Sequence, residues 1–252
     1  MQEFLNEISR QAGALAMQFY KRGVSYSTKT NRLDLLTEAD VAVSKFLVEA
    51  IHAKYPDHHI HSEEMTDDIN TGAEYEWVID PIDGTWNFAN HIPIWGVLIA
   101  VMRNGATKYA ATYFPIDDHL YIAEKGFGVF LNGEKIIVSD YDSLDRSVGH
   151  FFVNPERVGG QKLAALWPHL LNNNVRTRNY ACMYGAVLVA RGVHNFYISN
   201  GGVDHDHLAP VLICEEAGAV VTNSFGEPWK RGMKDMVIAG PQLHPKILEL
   251  FN

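Results

Sequence analysis

The sequence predicts an α+β chain of two closely joined lobes, residues 1–144 and 145–252, close enough to count as one domain. Three observations predict it: helical spacing of apolar residues at the start, alternating apolar runs between turn dipeptides in the middle, and strand and helix patterns that alternate after residue 145. The opening segment MQEFLNEISRQAGALAMQFY puts Phe4, Leu5, Ile8, Ala12, Leu15 and Phe19 on one side of a helix. Thr37 followed three residues later by Asp40 reads as a capping box for a second helix with Val43, Phe46, Leu47, Ala50 and Ile51 on its apolar face. HHIHSEE is a short strand that opens into a polar loop, and EYEWVI alternates before becoming fully apolar, as a strand entering a core does. Strands follow near 94–103, 106–113 and 118–123, divided by Asn104-Gly105 and Asp117-Asp118, with a tight hairpin at Asn132-Gly133. The second lobe reads as strand 147–152, helix 158–171, strand 175–178, helix 181–191 and strand 194–198. A helix with Leu208, Val211 and Leu212 comes next, starting close to residue 207 because Pro210 fits the first turn or gives up a bond. Strand Met236–Ala239 and a closing helix end the chain.

With 252 residues, 47% apolar and 20% charged, the chain can bury a large core. Charged residues interrupt the first helix, so it does not read as a secretory signal, and no apolar run reaches the roughly 18 residues of a spanning helix. Cys182 and Cys214 lie in apolar surroundings and read as buried free thiols of a cytoplasmic protein, with a disulfide left open. The net charge of −9, from 21 Lys and Arg against 30 Asp and Glu, argues against nucleic acid as a routine partner, and no membrane partner is expected.

The most informative stretch is WVIDPIDGTWNF, Trp77 to Phe88. A strand delivers Asp80 and Asp83 into a turn, where Pro81 blocks a ladder bond and Gly84 relieves the backbone. Carboxylates on such a corner suit hard divalent cations, and the Gly84 and Thr85 amides suit a phosphate if a helix starts there. A loop closed by Asx turns is the plainer alternative. Glu63, in the Ser62-Glu63-Glu64 segment, is placed to bridge metals. Asp206 stands at the mouth of the helix that contains Pro210, where an N-cap role needs no metal.

The segments DLLTEAD (Asp34 to Asp40), SEE (Ser62 to Glu64), DPIDGTWNF (Asp80 to Phe88), EKGFGVFLNGEKIIVS (Glu124 to Ser139) and DHDHLAPVLICEEAG (Asp204 to Gly218) resemble, in order and spacing, the inositol monophosphatase family. That family belongs to the lithium-sensitive, magnesium-dependent phosphatases. The resemblance implies a layered α/β/α/β/α sandwich of the inositol monophosphatase and fructose-1,6-bisphosphatase type, a homodimer, and two or three Mg2+ ions for which Mn2+ can substitute. It implies Glu63, Asp80 and the Ile82 carbonyl at a first metal, and Asp80, Asp83 and Asp206 at a second. Thr85 with Glu63 would activate the attacking water, and the Gly84 and Thr85 amides would take the phosphate. Lys29 matches a lysine on a loop near the site, Asp40 an acid near the water network of a third metal, and Glu64 a carboxylate just behind the ligands. The capping box alone also accounts for Thr37 and Asp40. The expected reaction is direct in-line attack of water on phosphorus, without a phosphoenzyme.

Substrate identity is where the resemblance thins. Ser199 stands where the family carries a glutamate for inositol hydroxyls, and RTRNYACMYGAV brings Arg178 and Tyr180 where smaller residues are expected. Arg178 fits a more anionic substrate or an exposed strand position. His205 replaces a tryptophan, and with His207 it reads as a substrate wall; together with His58, His59 and His61 the pair also suggests zinc, but the oxygen-rich acidic set fits magnesium or manganese better. The leading reading is a phosphatase of inositol monophosphate or a similar small polyol phosphate. Sugar-phosphate, 3'-phosphonucleotide and histidinol-phosphate phosphatases are the alternatives, with a regulatory binding protein as a further class.

Overall fold

The computed structural model describes residues 1–29 and 35–251, so Asp34 lies outside the described residues. In the first half, α1 (Gln2–Arg22), β1 (Tyr26–Thr28), β2 (Leu35–Thr37) and α2 (Glu38–Lys54) precede β3 (His59–Ser62), β4 (Tyr75–Asp83) and α3 (Thr85–Ala89). There follow β5 (Gly96–Arg103), β6 (Ala106–Phe114), β7 (His119–Glu124), β8 (Gly128–Leu131) and β9 (Glu134–Lys135). The second half contains β10 (Val148–Phe152), α4 (Gly160–Ala164), α5 (Trp167–Asn172), β11 (Arg176–Arg178), α6 (Tyr184–Ala190) and β12 (Phe196–Ser199). It closes with α7 (Asp204–Glu216), β13 (Val220–Thr222), β14 (Met236–Ala239) and α8 (His244–Glu249).

Strands β3 to β9 form a seven-stranded sheet in chain order, and the second sheet runs β11-β10-β12-β14-β13. Side chains alternate across each sheet, and this alternation makes the layers. Trp77, Ile79, Val97, Ile99 and Val101 face α1 and α2. Val78, Leu98, Ala100 and Met102 face the opposite way, into a core shared with Ala186 and Val187 of α6, Leu208 and Leu212 of α7, and Tyr197 and Ile238 of the second sheet. On that sheet's far side Phe196, Ile198, Val237 and Ala239 pack with Leu163, Leu170 and Ile247. The order is helices, sheet, helices, sheet, helices, the layered α/β/α/β/α sandwich, and the middle layer welds the two halves.

Thr37 forms the capping box: its hydroxyl lies within reach of the Ala39 and Asp40 amides, and Asp40 accepts from the Thr37 amide. The hairpin at Asn132-Gly133 has φ of 48° and 88°, the double left-handed turn that Asn-Gly supplies. Three expectations change. The helix over 158–171 is two short helices, because Pro168 has no N–H to continue the first and instead sits in the first turn of α5. Strand β13 follows α7 after Gly218, whose φ of 94° reverses the chain. Helix α7 starts at Asp204 rather than near 207, so Pro210 lies inside it and the Asp206 carbonyl loses its i+4 donor.

Cys182 and Cys214 are free and buried. Among the described residues no helix is long and apolar enough to cross a membrane. Burial, then neighbouring His194, pushes His150 down to about 3, and burial, then Arg178, pushes His194 down to about 4, from 6.5. Both stay neutral in the fold and accept a proton once unfolded. Their stabilisation is therefore full above pH 6.5 and is lost as pH falls toward 4. Melting temperature followed against pH should decline in that window, and His194→Gln should flatten the decline.

Candidate active site

Strand β4 carries Asp80 and Asp83 to the edge of the middle layer, with a register shift between them where Pro81 interrupts the ladder with β5. Both carboxylates are nearly fully buried. Asp80 accepts from the Ile82 amide at 3.0 Å, and Asp83 accepts from the Met183 amide at 2.7 Å, which ties the first sheet to the start of α6. Gly84 follows with φ 91°, and a Cβ there would lie 3.1 Å from Cβ of Cys182 and 3.3 Å from the Ile94 carbonyl. The chain then turns directly into α3, so the Thr85 amide has no partner within the helix.

Asp206 comes from the other half of the molecule as the third residue of α7. Its Oδ2 accepts from the Val203 amide at 2.6 Å, so it both caps the helix and holds its carboxylate fixed. Gly202 permits this approach, since a Cβ at its φ of 88° would meet Nε2 of His207 at 2.5 Å and Oδ2 of Asp206 at 3.0 Å. Asp80, Asp83 and Asp206 each offer an oxygen within 4.8 Å of the others. Glu63, Asp80 and His205 meet the same limit.

Burial, then the charges of Glu63, Asp206, Asp83 and Asp40, pushes the Asp80 carboxyl well above the usual range. Burial and Asp206 do the same to Asp83 against the Met183 hydrogen bond. Among the described residues no Lys or Arg pairs with Asp80, Asp83 or Asp206. Lys29 instead lies 2.8 Å from Glu63 and 2.5 Å from Glu64, and although burial opposes its charge, these contacts raise its pKa. Burial raises Glu64 against its bond from Lys29. Buried carboxylates that share one spot without a protein cation have the donor set a hard divalent ion needs, so the residues fit the metals that the resemblance implies. The Thr85 hydroxyl donates to the Ile82 carbonyl at 3.0 Å and lies 3.3 Å from Oδ1 of Asp40. Burial pushes Asp40 up to about 6, opposed by Thr37.

These groups border a cleft of about 770 Å³ lined by Glu63, Asp83, Gly84, Thr85, Trp86 and Asp206 on one side. Ser199, His150, Asn154, Arg157 and Asn179 line other parts. Ser199 is buried and accepts from the Gly201 amide at 3.0 Å. Arg178 is not among the lining residues: it is exposed on edge strand β11, with its guanidinium donating to the Thr177 carbonyl. Tyr180 is turned toward Nε2 of His194 at 3.2 Å, and its carbonyl accepts from Asn87. His207 is buried on the Gly201 carbonyl rather than facing the cleft. His58 stacks between Tyr55 and Tyr75, and His59 and His61 both bind Asp68. Sequence reasoning missed Arg157, which sits in a loop with no motif. Asn200 holds that loop by exchanging two 2.8 Å hydrogen bonds with the Asn154 backbone.

The whole chain, residues 1–252, matches the family described as the inositol monophosphatase family. It is 30% identical over 250 residues to an inositol monophosphatase of Dictyostelium discoideum, covering 97% of this chain and 92% of that one. Identity is also 30% to a protein named putative Nus factor SuhB of Neisseria meningitidis serogroup B, covering 100% and 99%. The solved structure of a Thermotoga maritima IMPase superposes with a TM-score of 0.86 at 28% identity, over 98% of this chain and 94% of that one. SuhB of Bartonella henselae, 23% identical, shares the fold at a TM-score of 0.91 over 99% and 97%. The acidic corner, its partner on α7 and the five layers thus occur in a chain that belongs to the inositol monophosphatase family.

Proposed function

We propose that this chain hydrolyses small phosphomonoesters, with inositol monophosphate or a similar small polyol phosphate as the leading substrate and two or three Mg2+ ions as cofactors. The observation that carries this is the meeting of Asp80 and Asp83, from the end of β4, with Asp206, from the start of α7, where Asp83 and Asp206 line one cleft with Gly84 and Thr85. When bound, divalent cations neutralise phosphate oxygens, acidify a water and stabilise a leaving alkoxide. The chain's residues supply the rest. Asp80, Asp83, Asp206, Glu63 and the Ile82 carbonyl hold the cations. The Gly84 and Thr85 amides bind phosphate oxygens. Thr85, steered by Asp40 and the Ile82 carbonyl, orients a water whose proton passes toward Glu63. Lys29 pairs with Glu63 and Glu64 and orients both carboxylates.

The far end of the cleft decides the substrate. Ser199 offers a hydroxyl, Asn154 and Asn179 offer amides, and Arg157 offers a cation, a lining suited to polyols and to groups with a second negative charge. Relatives named fructose-1,6-bisphosphatase/inositol-1-monophosphatase, one from Thermotoga maritima at 28% identity, favour the same breadth. Measuring kcat/KM for inositol, glucose, fructose bis-, histidinol and adenosine bisphosphate substrates should give activities on several compounds. A preference above roughly a thousandfold for inositol phosphate over all others would overturn the broad reading. Arg157→Ala should raise KM for bisphosphates by roughly tenfold, while Arg178→Ala should leave it unchanged.

A cytoplasmic homodimer sensitive to lithium belongs to the same reading, and buried free thiols suit a reducing compartment. The Neisseria relative's name favours a second reading, a regulatory binding protein. That reading expects a stable partner complex and no phosphate release in magnesium.

A further inference from the structure

We propose that His205 supplies an imidazole ligand at the cation position of Glu63 and Asp80, making it a mixed nitrogen and oxygen site that raises affinity for first-row transition metals and leaves Mg2+ affinity nearly unchanged. The inference rests on the reading above, that Glu63 and Asp80 hold a cation, and adds a ligand to it. His205 is the second residue of α7, one before Asp206, so the helix turn that brings Asp206 to Asp83 also brings the imidazole to Glu63. Its Nε2 lies 3.9 Å from Oε2 of Glu63, and Asp80 completes a set whose donor atoms all lie within 4.8 Å. Ligands about 2.1 Å from one small cation lie about 3 to 4 Å apart, so the spacing suits a shared ion rather than a hydrogen bond.

Two further observations support the assignment. Asp80 is 2% exposed, and its Oδ1 accepts from the Ile82 amide at 3.0 Å, which fixes the carboxylate toward Glu63 and His205. The His205 ring is held in place: it is 17% exposed and stacks on His61 at 6.5 Å and 27°, and His61 is itself anchored by Nδ1 to Asp68 at 2.8 Å. Imidazole strengthens binding of borderline metals along the series from Mn2+ to Zn2+ and does little for Mg2+, which prefers oxygen and water. A carboxylate-only site would show a weaker form of this bias.

The test loads the full protein with Mn2+ and records electron spin echo modulation, which reports a directly coordinated nitrogen. Wild type and His61→Ala should both show nitrogen coupling, and His205→Ala and His205→Phe should lose it. Competition binding should show Co2+ affinity falling about tenfold or more in His205→Phe, with Mg2+ affinity changed by less than about twofold. Stoichiometric Mn2+ bound to wild type without nitrogen coupling would overturn the imidazole ligand and leave the carboxylate site standing. Coupling that persists in His205→Ala would do the same. No Mn2+ bound to wild type would overturn both. If a His205 variant fails to fold, the wild-type spectrum decides alone.

Discussion

Asp83→Asn should lower phosphate release by roughly a thousandfold or more while raising the melting temperature of the metal-free protein. The activity loss follows because the set formed with Asp80 and Asp206 loses one of three carboxylates, and a cation's stabilisation of transition-state charge is of order several kcal/mol, with about 1.4 kcal/mol per factor of ten. The gain in stability has the opposite origin. Asp83 is 4% exposed and lies within 4.8 Å of two other carboxylates, so without cations its charge is held away from water among like charges. Asparagine keeps an oxygen for the Met183 amide and removes the charge. Wild type should recover its deficit when magnesium is added: saturation at a hundred times Kd contributes about 2.7 kcal/mol, or about 5–10 °C for a chain of this size. The variant should gain much less. Scanning calorimetry of both proteins with and without magnesium checks it, and a metal-free variant that melts below wild type would count against the charge argument.

Thr85→Ala should cut kcat by on the order of a hundredfold with KM nearly unchanged, because positioning a water matters in the transition state and little in substrate binding. The hydroxyl that would be lost donates to the Ile82 carbonyl at 3.0 Å and faces Asp40 at 3.3 Å, so it is fixed from two sides. Thr85→Ser should restore most of the rate because the oxygen remains. Glu63→Gln should behave like Thr85→Ala in kcat, and would also weaken a cation site. A rise in KM with kcat intact would reassign Thr85 to phosphate binding alone.

What the sequence revealed depended on range. The corner from Asp80 to Thr85 was legible because six adjacent residues carry the turn, the carboxylates and the first turn of α3. The capping box at Thr37 and the Asn132-Gly133 hairpin were legible for the same reason, as each is a local conformational preference. Arg157 was not, because it enters the cleft through a loop whose position is set by Asn200, 43 residues later, and no pattern links the two. Arg178 was misleading in the other direction: a motif position suggested the cleft, but edge-strand alternation turns the side chain to solvent. The start of α7 lies earlier than expected because Arg231 and the Gly232 amide hold Asp204 in its first turn, a tertiary contact that no local pattern announces.

Cation dependence of phosphate release separates a catalytic role of the acidic cluster from a purely structural one. The most direct measurement is free-phosphate release from the same panel of small phosphomonoesters by protein stripped with a chelator, before and after Mg2+ is restored. The expected result is no release from the stripped protein, recovery with Mg2+, and no comparable recovery with Ca2+, whose looser coordination does not reproduce the octahedral geometry. Full activity in metal-free buffer, or no release of phosphate from any substrate in Mg2+, would contradict it.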